Sequence, residues 1–123
     1  MFEWTIGTAY SMIVTLCPAN FTLNNVAASK FKDCRYCMLG LNRDEKQVAI
    51  KIVTKEDIDL GIVPIENLHK VSYGKGYARI SNKAFIKDIY DLMQIKDDQK
   101  ALKFNANFDE INQMLIIDLE SRG

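Results

Sequence analysis

Apolar residues alternate with polar or small residues in two stretches of the chain, 48–52 and 102–108. This period of two is typical of a β-strand that buries one face and exposes the other. An Asn-x-Asp-Glu sequence connects each stretch to a second apolar run. Because Asn and Asp accommodate tight turns and hydrogen-bond their own backbone, the pattern predicts two β-hairpins, with turns at 42–46 and 107–112.

Helical periodicity is clearest after Ser81 or Asn82, either of which is a suitable N-cap. The apolar residues that follow recur every three or four positions and so share one helix face: Phe85, Ile86, Ile89, Leu92 and Met93. A shorter counterpart begins after Asn24 or Asn25, with Val26, Ala27 and Phe31 directed inward. The sequence therefore predicts two short-to-medium helices.

The two predicted helices belong to similar segments of the chain. Residues 14–27 align with residues 71–84 at an offset of 57, and the Asn-x-Asp-Glu turns align at an offset of 65. Element order, turn chemistry and spacing agree, which predicts a duplicated strand–turn–strand–helix–hairpin unit. The expected fold class is α+β, with mainly antiparallel strands.

A single domain, 1–123, is expected from the length and from a hydrophobic content of 48%. The internal units span about 12–53 and 70–120. The segment between them, 54–69, is predicted to be an acidic connecting arm with room for an irregular strand.

Charge is neutral overall but uneven along the chain. Residues 68–89 carry five bases against one acid, a net of +4, whereas residues 55–67 carry one base against four acids, a net of −3. The neutral total provides no global field for nucleic acid, whereas the basic cluster favours contact with phosphates. Scattered charge on a solvated surface is the alternative interpretation.

No basic leader precedes an apolar run at the start of the sequence, and no stretch approaches the roughly 20 apolar residues of a membrane span. An odd number of cysteines, three, does not form a secreted disulfide framework. A cytoplasmic protein without membrane contact is therefore expected.

Four residues could in principle ligate zinc: Cys34 and Cys37 in a Cys-x-x-Cys sequence, together with Cys17 and His69. Structural zinc sites usually bring two paired motifs, and the second pair is missing here, so buried or spectator thiols are the favoured interpretation. Whether the four residues meet is open at this point. No metal or cofactor is predicted.

His69 is the only histidine, and no strained nucleophile turn accompanies it. The acids of the arm are spaced as solvated charges rather than as an acid–base pair. We therefore expect the protein not to be an enzyme.

The sequence Gly74-Lys75-Gly76 is rich in glycine and basic, but it lacks the Walker spacing. One interpretation is a bend within a single strand from Val71 to Ile80, where glycines supply unusual φ values. The other is close approach to a phosphate backbone, with Lys75 at the tip and Arg79 and Lys83 following on the entry to the helix.

This layout resembles that of the AbrB/SpoVT-type swapped-hairpin regulators. The resemblance rests on Gly76-Tyr77-Ala78-Arg79-Ile80-Ser81, on Ala19-Asn20-Phe21-Thr22-Leu23-Asn24 and on the apolar strand Val48–Val53. The proline of the family motif is replaced by Asn24 and Ser81, and its arginine by Asn20 and Tyr77. The turn of the first unit carries no base.

The resemblance implies DNA binding through the basic turns and short helices, with Lys75, Arg79 and Lys83 in the second unit and Lys30 in the first. The expected function is that of a DNA-binding transcriptional regulator or an antitoxin-like protein. Its expected partners are double-stranded DNA and a second copy of the chain, the latter because exposed hairpin edges invite pairing. The alternative is a non-catalytic protein-interaction or structural module without nucleic-acid binding.

Overall fold

The structure is a computed structural model that describes residues 12–32, 34–94 and 101–122, with side chains described as far as Glu120. Eight strands, three α-helices and one 3₁₀ turn make up these residues. In chain order the elements are β1 (Met12–Leu16), β2 (Asn20–Leu23), α1 (Asn25–Ser29), β3 (Tyr36–Asn42), β4 (Gln47–Val53), α2 (Lys55–Asp59), the 3₁₀ turn Ile65–Asn67, β5 (His69–Gly74), β6 (Tyr77–Ser81), α3 (Lys83–Met93), β7 (Leu102–Asp109) and β8 (Met114–Arg122).

The strands form a closed antiparallel barrel in the order β1-β2-β6-β5-β3-β4-β8-β7, and β7 returns to β1. The predicted α+β class with two helices is therefore wrong. Period-two alternation identifies strands but carries no information on which distant strand each one pairs with, and closure depends on those distant pairings. The arm also differs from expectation, because it contains α2 and the 3₁₀ turn rather than an irregular strand.

Inward-facing residues of the strands fill the barrel, as their alternation predicts. Leu23, Ile50 and Leu115 are completely buried, as is Phe31 in the segment after α1. α3 adds Ile86 and Ile89 to the same core. Among the described residues no polar or charged side chain is buried, so apolar burial holds the barrel together.

Asparagine side chains cap α1 and α3. The Oδ1 atom of Asn24 accepts a hydrogen bond of 3.0 Å from the Ala27 N–H, and Asn82 accepts one of 3.0 Å from the Phe85 N–H. The predicted start of the longer helix is confirmed at Asn82. Asn25, the alternative cap of the shorter helix, is instead its first residue.

Exchanging the two halves of the chain leaves the strand order of the barrel unchanged. Thr22 lies opposite Arg79 in the β2–β6 pairing, and these residues are 79 − 22 = 57 positions apart, the offset of the sequence alignment. A residue that faces its own equivalent lies on a two-fold axis, so a pseudo-twofold axis passes between Thr22 and Arg79. Duplication of an ancestral unit stays a prediction.

The β3–β4 and β7–β8 hairpins are equivalent at a sequence offset that differs from the offset between the two Asn-x-Asp-Glu sequences. Both predicted hairpins exist, but their turns are 43–46 and 110–113, and the residues that close them, Gln47 and Met114, are 114 − 47 = 67 positions apart. The predicted offset of 65 is wrong because the second Asn-x-Asp-Glu sequence begins inside β7. At the offset of 67 the axis leaves the barrel between Ala49 and Ile116, on the wall opposite Thr22 and Arg79.

Candidate nucleic-acid interface

One wall of the barrel is free of acidic residues. Strands β1, β2, β6 and β5 are consecutive in the barrel, and the segments that contain them, 12–32 and 67–87, have no Asp or Glu. We call the outer surface of these four strands and their two hairpin turns the acid-free wall. The β2–β6 pairing creates it, because it joins two segments that are far apart in the sequence.

A row of hydroxyl and cationic side chains crosses the middle of this wall. The strand registers place these residues side by side in the order Lys103, Thr15, Thr22, Arg79 and Ser72, with Lys103 contributed by the neighbouring strand β7. All five alternate with buried residues and so point outward. Neighbours in such a row have Cβ atoms about 4.5–5.5 Å apart, so the row places hydroxyl and cationic groups side by side. The Thr22 hydroxyl donates to the side-chain oxygen of Asn20 at 3.3 Å.

Tyr77 orients the guanidinium of Arg79. The central carbon of that group lies 5.5 Å from the centroid of the Tyr77 ring, within the range of a cation–π interaction. The ring in turn occupies the space that a side chain at residue 74 would need, which Gly74 leaves open. Gly74, Tyr77 and Arg79 therefore form one packed unit on the surface of the β5–β6 hairpin.

The Gly-Lys-Gly sequence forms the turn of this hairpin. β5 ends at Gly74 and β6 begins at Tyr77, so the predicted bend within one continuous strand is wrong. Gly76 has a φ of +82°, the left-handed conformation that favours glycine. Gly74 has an ordinary φ, and its role is to make room for the tyrosine ring.

Three of the four predicted DNA-facing cations lie along β6. Lys75 is in the turn before the strand, Arg79 is at its centre and Lys83 is the first residue of α3 beyond it. All three are exposed. A five-residue strand is about 17 Å long, so the three cations are spread over the length of β6 rather than gathered in one cluster.

Lys30 lies apart from this line. Its ammonium group is 4.0 Å from a carboxylate oxygen of Glu110 and 5.6 Å from the centroid of the Phe108 ring, both of which belong to the β7–β8 hairpin. An exposed pair at this distance contributes little to stability. The structure therefore does not bring Lys30 together with the cations of β6.

Several residues of the row were not identified from the sequence. Thr15, Ser72 and Lys103 join Arg79 only through strand pairings, and nothing local to them signals this. Thr22 did carry a signal, since the alignment at an offset of 57 makes it the equivalent of Arg79 in the first unit.

The possible zinc ligands are only partly brought together. Cys37 and His69 are opposite each other in the β3–β5 pairing, whereas Cys17 follows β1 and Cys34 precedes β3. Within the described ranges, no three His, Cys, Asp or Glu residues are placed to hold a metal ion. Cys37 belongs to the core, and burial raises the pKa of its thiol to about 12.

His69 is hydrogen-bonded to the residue that caps α3. Its Nδ1 atom is 3.3 Å from the side-chain nitrogen of Asn82, whose oxygen already accepts from the Phe85 N–H. The amide nitrogen is therefore the group that faces Nδ1. His69 thus supports the start of α3.

Comparison with protein-family models, with curated proteins and with solved structures finds no match for this chain. The resemblance to the AbrB/SpoVT-type regulators consequently stays a prediction. In the part of the chain that the structure describes, no helix is both long and apolar enough to cross a membrane.

Proposed function

We propose that the protein binds duplex DNA through the acid-free wall, as a transcriptional regulator or an antitoxin-like protein. The observation that carries the proposal is the union of two acid-free segments into one surface with Arg79 at its centre. A surface without carboxylates does not repel phosphates, even though the chain as a whole is neutral.

The wall offers two kinds of phosphate contact. Arg79 presents a planar guanidinium that can bind two phosphate oxygens at once, and Tyr77 holds it in place. The hydroxyls of Thr15 and Ser72 can each donate one hydrogen bond beside it, whereas the Thr22 hydroxyl donates to the side-chain oxygen of Asn20 at 3.3 Å. Such contacts position a protein on DNA without reading its sequence.

Charge around the row extends this surface. The cations that flank it at exposed positions are Lys70, Lys75 and Lys83. Each phosphate that a cation neutralises releases condensed counterions, which makes the affinity depend on salt.

The pseudo-twofold axis through the wall matches the local two-fold symmetry of a duplex, but the two halves contribute unequally. Thr22 stands where the second half has Arg79, and the β1–β2 turn has no counterpart of Lys75. We therefore expect an asymmetric complex in which the β5–β6 hairpin makes most of the charged contacts.

Titration of a mixed-sequence duplex at several salt concentrations tests the proposal. The logarithm of the association constant should fall linearly with the logarithm of salt, by about 0.9 per phosphate contact. The double substitution Lys75→Glu/Arg79→Glu should abolish binding. A chain that does not bind duplex DNA even at low salt lacks the proposed function.

A second candidate function, a protein-interaction module, is favoured by one observation. The arm exposes three large apolar side chains, those of Leu60, Ile62 and Ile65. A protein partner whose binding is insensitive to salt, together with absence of DNA binding, would support this candidate instead.

A further inference from the structure

The arm between β4 and β5 presents an ordered apolar surface to water. Leu60, Ile62 and Ile65 are 66%, 64% and 79% exposed and lie within six residues of one another. Isolated apolar residues on a surface are ordinary, but three large ones on a single short segment are typical of an interaction site. The residues 55–67 around this group have a net charge of −3, from one base and four acids.

The arm has a defined conformation. The hydroxyl oxygen of Thr54 accepts a 3.1 Å hydrogen bond from the Asp57 N–H, and the Asp57 carboxylate accepts one of 3.1 Å from the Thr54 N–H. This reciprocal capping box fixes the start of α2. Gly61, with a φ of +69°, ends the turn that follows it.

A cleft of about 660 Å³ lies directly beside the arm, between α2 and the segment that leads into β3. Hydrogen bonds hold the far side of the cleft in place, since the Val71 N–H donates to the Arg35 carbonyl at 2.8 Å and the Tyr73 hydroxyl donates to the Cys34 carbonyl. The cleft is lined by Lys32, Cys34, Arg35, Tyr36, Val53, Lys55, Ile58 and Asp59. Outside the arm, Lys32 and Arg35 supply positive charge to the cleft, whereas Lys55 and Asp59 belong to the arm itself. Ile58 and the exposed ring of Tyr36 supply apolar surface.

The arm and the cleft complement each other in charge and polarity. The arm is acidic with apolar side chains exposed, and the cleft has cations beside apolar surface. The arm cannot fill the cleft of its own chain, because α2 already forms one of its sides. The two surfaces are nevertheless contiguous, since Asp59 lines the cleft and Leu60 is the next residue.

We infer that two copies of this chain associate around a two-fold axis, with the arm of each copy seated in the cleft of the other. A two-fold interface uses the same surface twice, and that surface must therefore complement itself. A contiguous pair of complementary patches meets this requirement. The interface shares no residue with the row that crosses the acid-free wall, so the inference does not rest on DNA binding.

Pairing of hairpin edges, the reason for expecting a homodimer from the sequence, is not needed for this arrangement. The barrel is closed, and both strands of each predicted hairpin have neighbouring strands on their outer sides. In this arrangement the homodimer forms through the arm and the cleft instead of through strand edges.

Sedimentation velocity of the full chain over a wide concentration range tests the inference. The wild-type chain should show a monomer–dimer equilibrium, and Leu60→Ser/Ile62→Ser/Ile65→Ser should weaken association by about tenfold or more. Ile111→Ser is the matched control, because Ile111 is 93% exposed on the β7–β8 turn and should leave association unchanged. A chain that is monomeric throughout, or a triple variant that associates like the wild type, would overturn the inference.

Reversal of charges on the arm and in the cleft tests whether the arm of one copy lies in the cleft of the other. Glu56→Lys/Glu66→Lys reverses charges on the arm, Arg35→Glu reverses one in the cleft, and each variant alone should associate more weakly than the wild type. In an equimolar mixture both contacts of the mixed dimer are complementary again, so association should recover. Failure to recover, with both variants folded as judged by circular dichroism, would contradict the exchange of arms.

Discussion

Thr22 and Arg79 face each other across the β2–β6 pairing, and they occupy equivalent positions in the two halves of the chain. The pseudo-twofold axis thus passes between a hydroxyl and a guanidinium. An exact two-fold barrel would place two arginines or two threonines there. The difference concentrates positive charge at the centre of the acid-free wall on one side of the axis.

Restoring symmetry at this position should strengthen DNA binding. Thr22→Arg adds a second cation at the centre of the wall, and the salt dependence of binding should become steeper by about one phosphate contact. The like charges on opposite residues should lower the free energy of unfolding by about 0.2–1 kcal/mol. Gln47→Arg adds the same charge to β4, on the opposite wall, and should leave the salt slope unchanged. If the two variants show the same salt dependence, DNA does not bind at the centre of the acid-free wall.

The substitution Gly74→Ala should affect DNA binding more than it affects stability. An alanine side chain at this position would displace the exposed ring of Tyr77, and the ring can rotate into solvent at low cost. The free energy of unfolding should therefore change by less than about 1 kcal/mol. Loss of the Tyr77–Arg79 contact should weaken DNA binding about two- to fivefold.

Gly40→Ala is the matched control for Gly74→Ala. An added side-chain carbon at residue 40 meets no atom within 4 Å, so neither stability nor DNA affinity should fall. Both are measured by urea unfolding and by fluorescence anisotropy with a labelled duplex. If Gly74→Ala binds DNA as the wild type does, Tyr77 does not position Arg79.

Substitutions at Asn24 and Asn25 distinguish the cap of α1 from the first residue of the helix. Asn24→Ala removes the acceptor of the Ala27 N–H and should lower the free energy of unfolding by about 1 kcal/mol. Asn25→Ala replaces the first helical residue with a better helix former and should be neutral or slightly stabilising. Equal effects of the two substitutions in urea unfolding would show that Asn24 is not the cap.

Asp109 should make stability depend on acid pH. Hydrogen bonds from the side chain and the backbone of Asn112 lower the pKa of its carboxyl below the ordinary value of 3.8. A carboxyl whose pKa is lower in the folded state stabilises that state above the ordinary pKa, and this contribution is lost as the pH falls through the folded-state pKa. The wild type should therefore be more stable than Asp109→Asn near neutral pH, and the difference should shrink as the solution is acidified. A difference that stays constant with pH would exclude this cause.

Local features of the fold were predictable from the sequence, and the pairing of distant strands was not. The hairpins around β4 and β7 and the cap at Asn82 follow from periodicity and turn chemistry within a few residues. Closure of the barrel depends on pairings such as β1 with β7, whose residues are some ninety positions apart. Each strand would show the same alternation in an open sheet covered by helices.

In the candidate site, too, only the locally encoded features were predictable from the sequence. Arg79 was identified from the local cluster of bases, but its neighbours Thr15 and Lys103 reach it only through long-range registers. Lys30 was expected beside the same surface because it occupies the corresponding unit. The structure instead places it against Glu110 of the β7–β8 hairpin.

The account rests on contact between the centre of the acid-free wall and DNA phosphates, and one charge reversal tests this most directly. Arg79→Glu and Arg43→Glu each reverse an exposed arginine, the first on the wall and the second in the β3–β4 turn. Fluorescence anisotropy with a mixed-sequence duplex at low salt should show binding weakened about tenfold or more by Arg79→Glu and little changed by Arg43→Glu. Equal losses from the two reversals, or no binding by the wild-type chain, would contradict it.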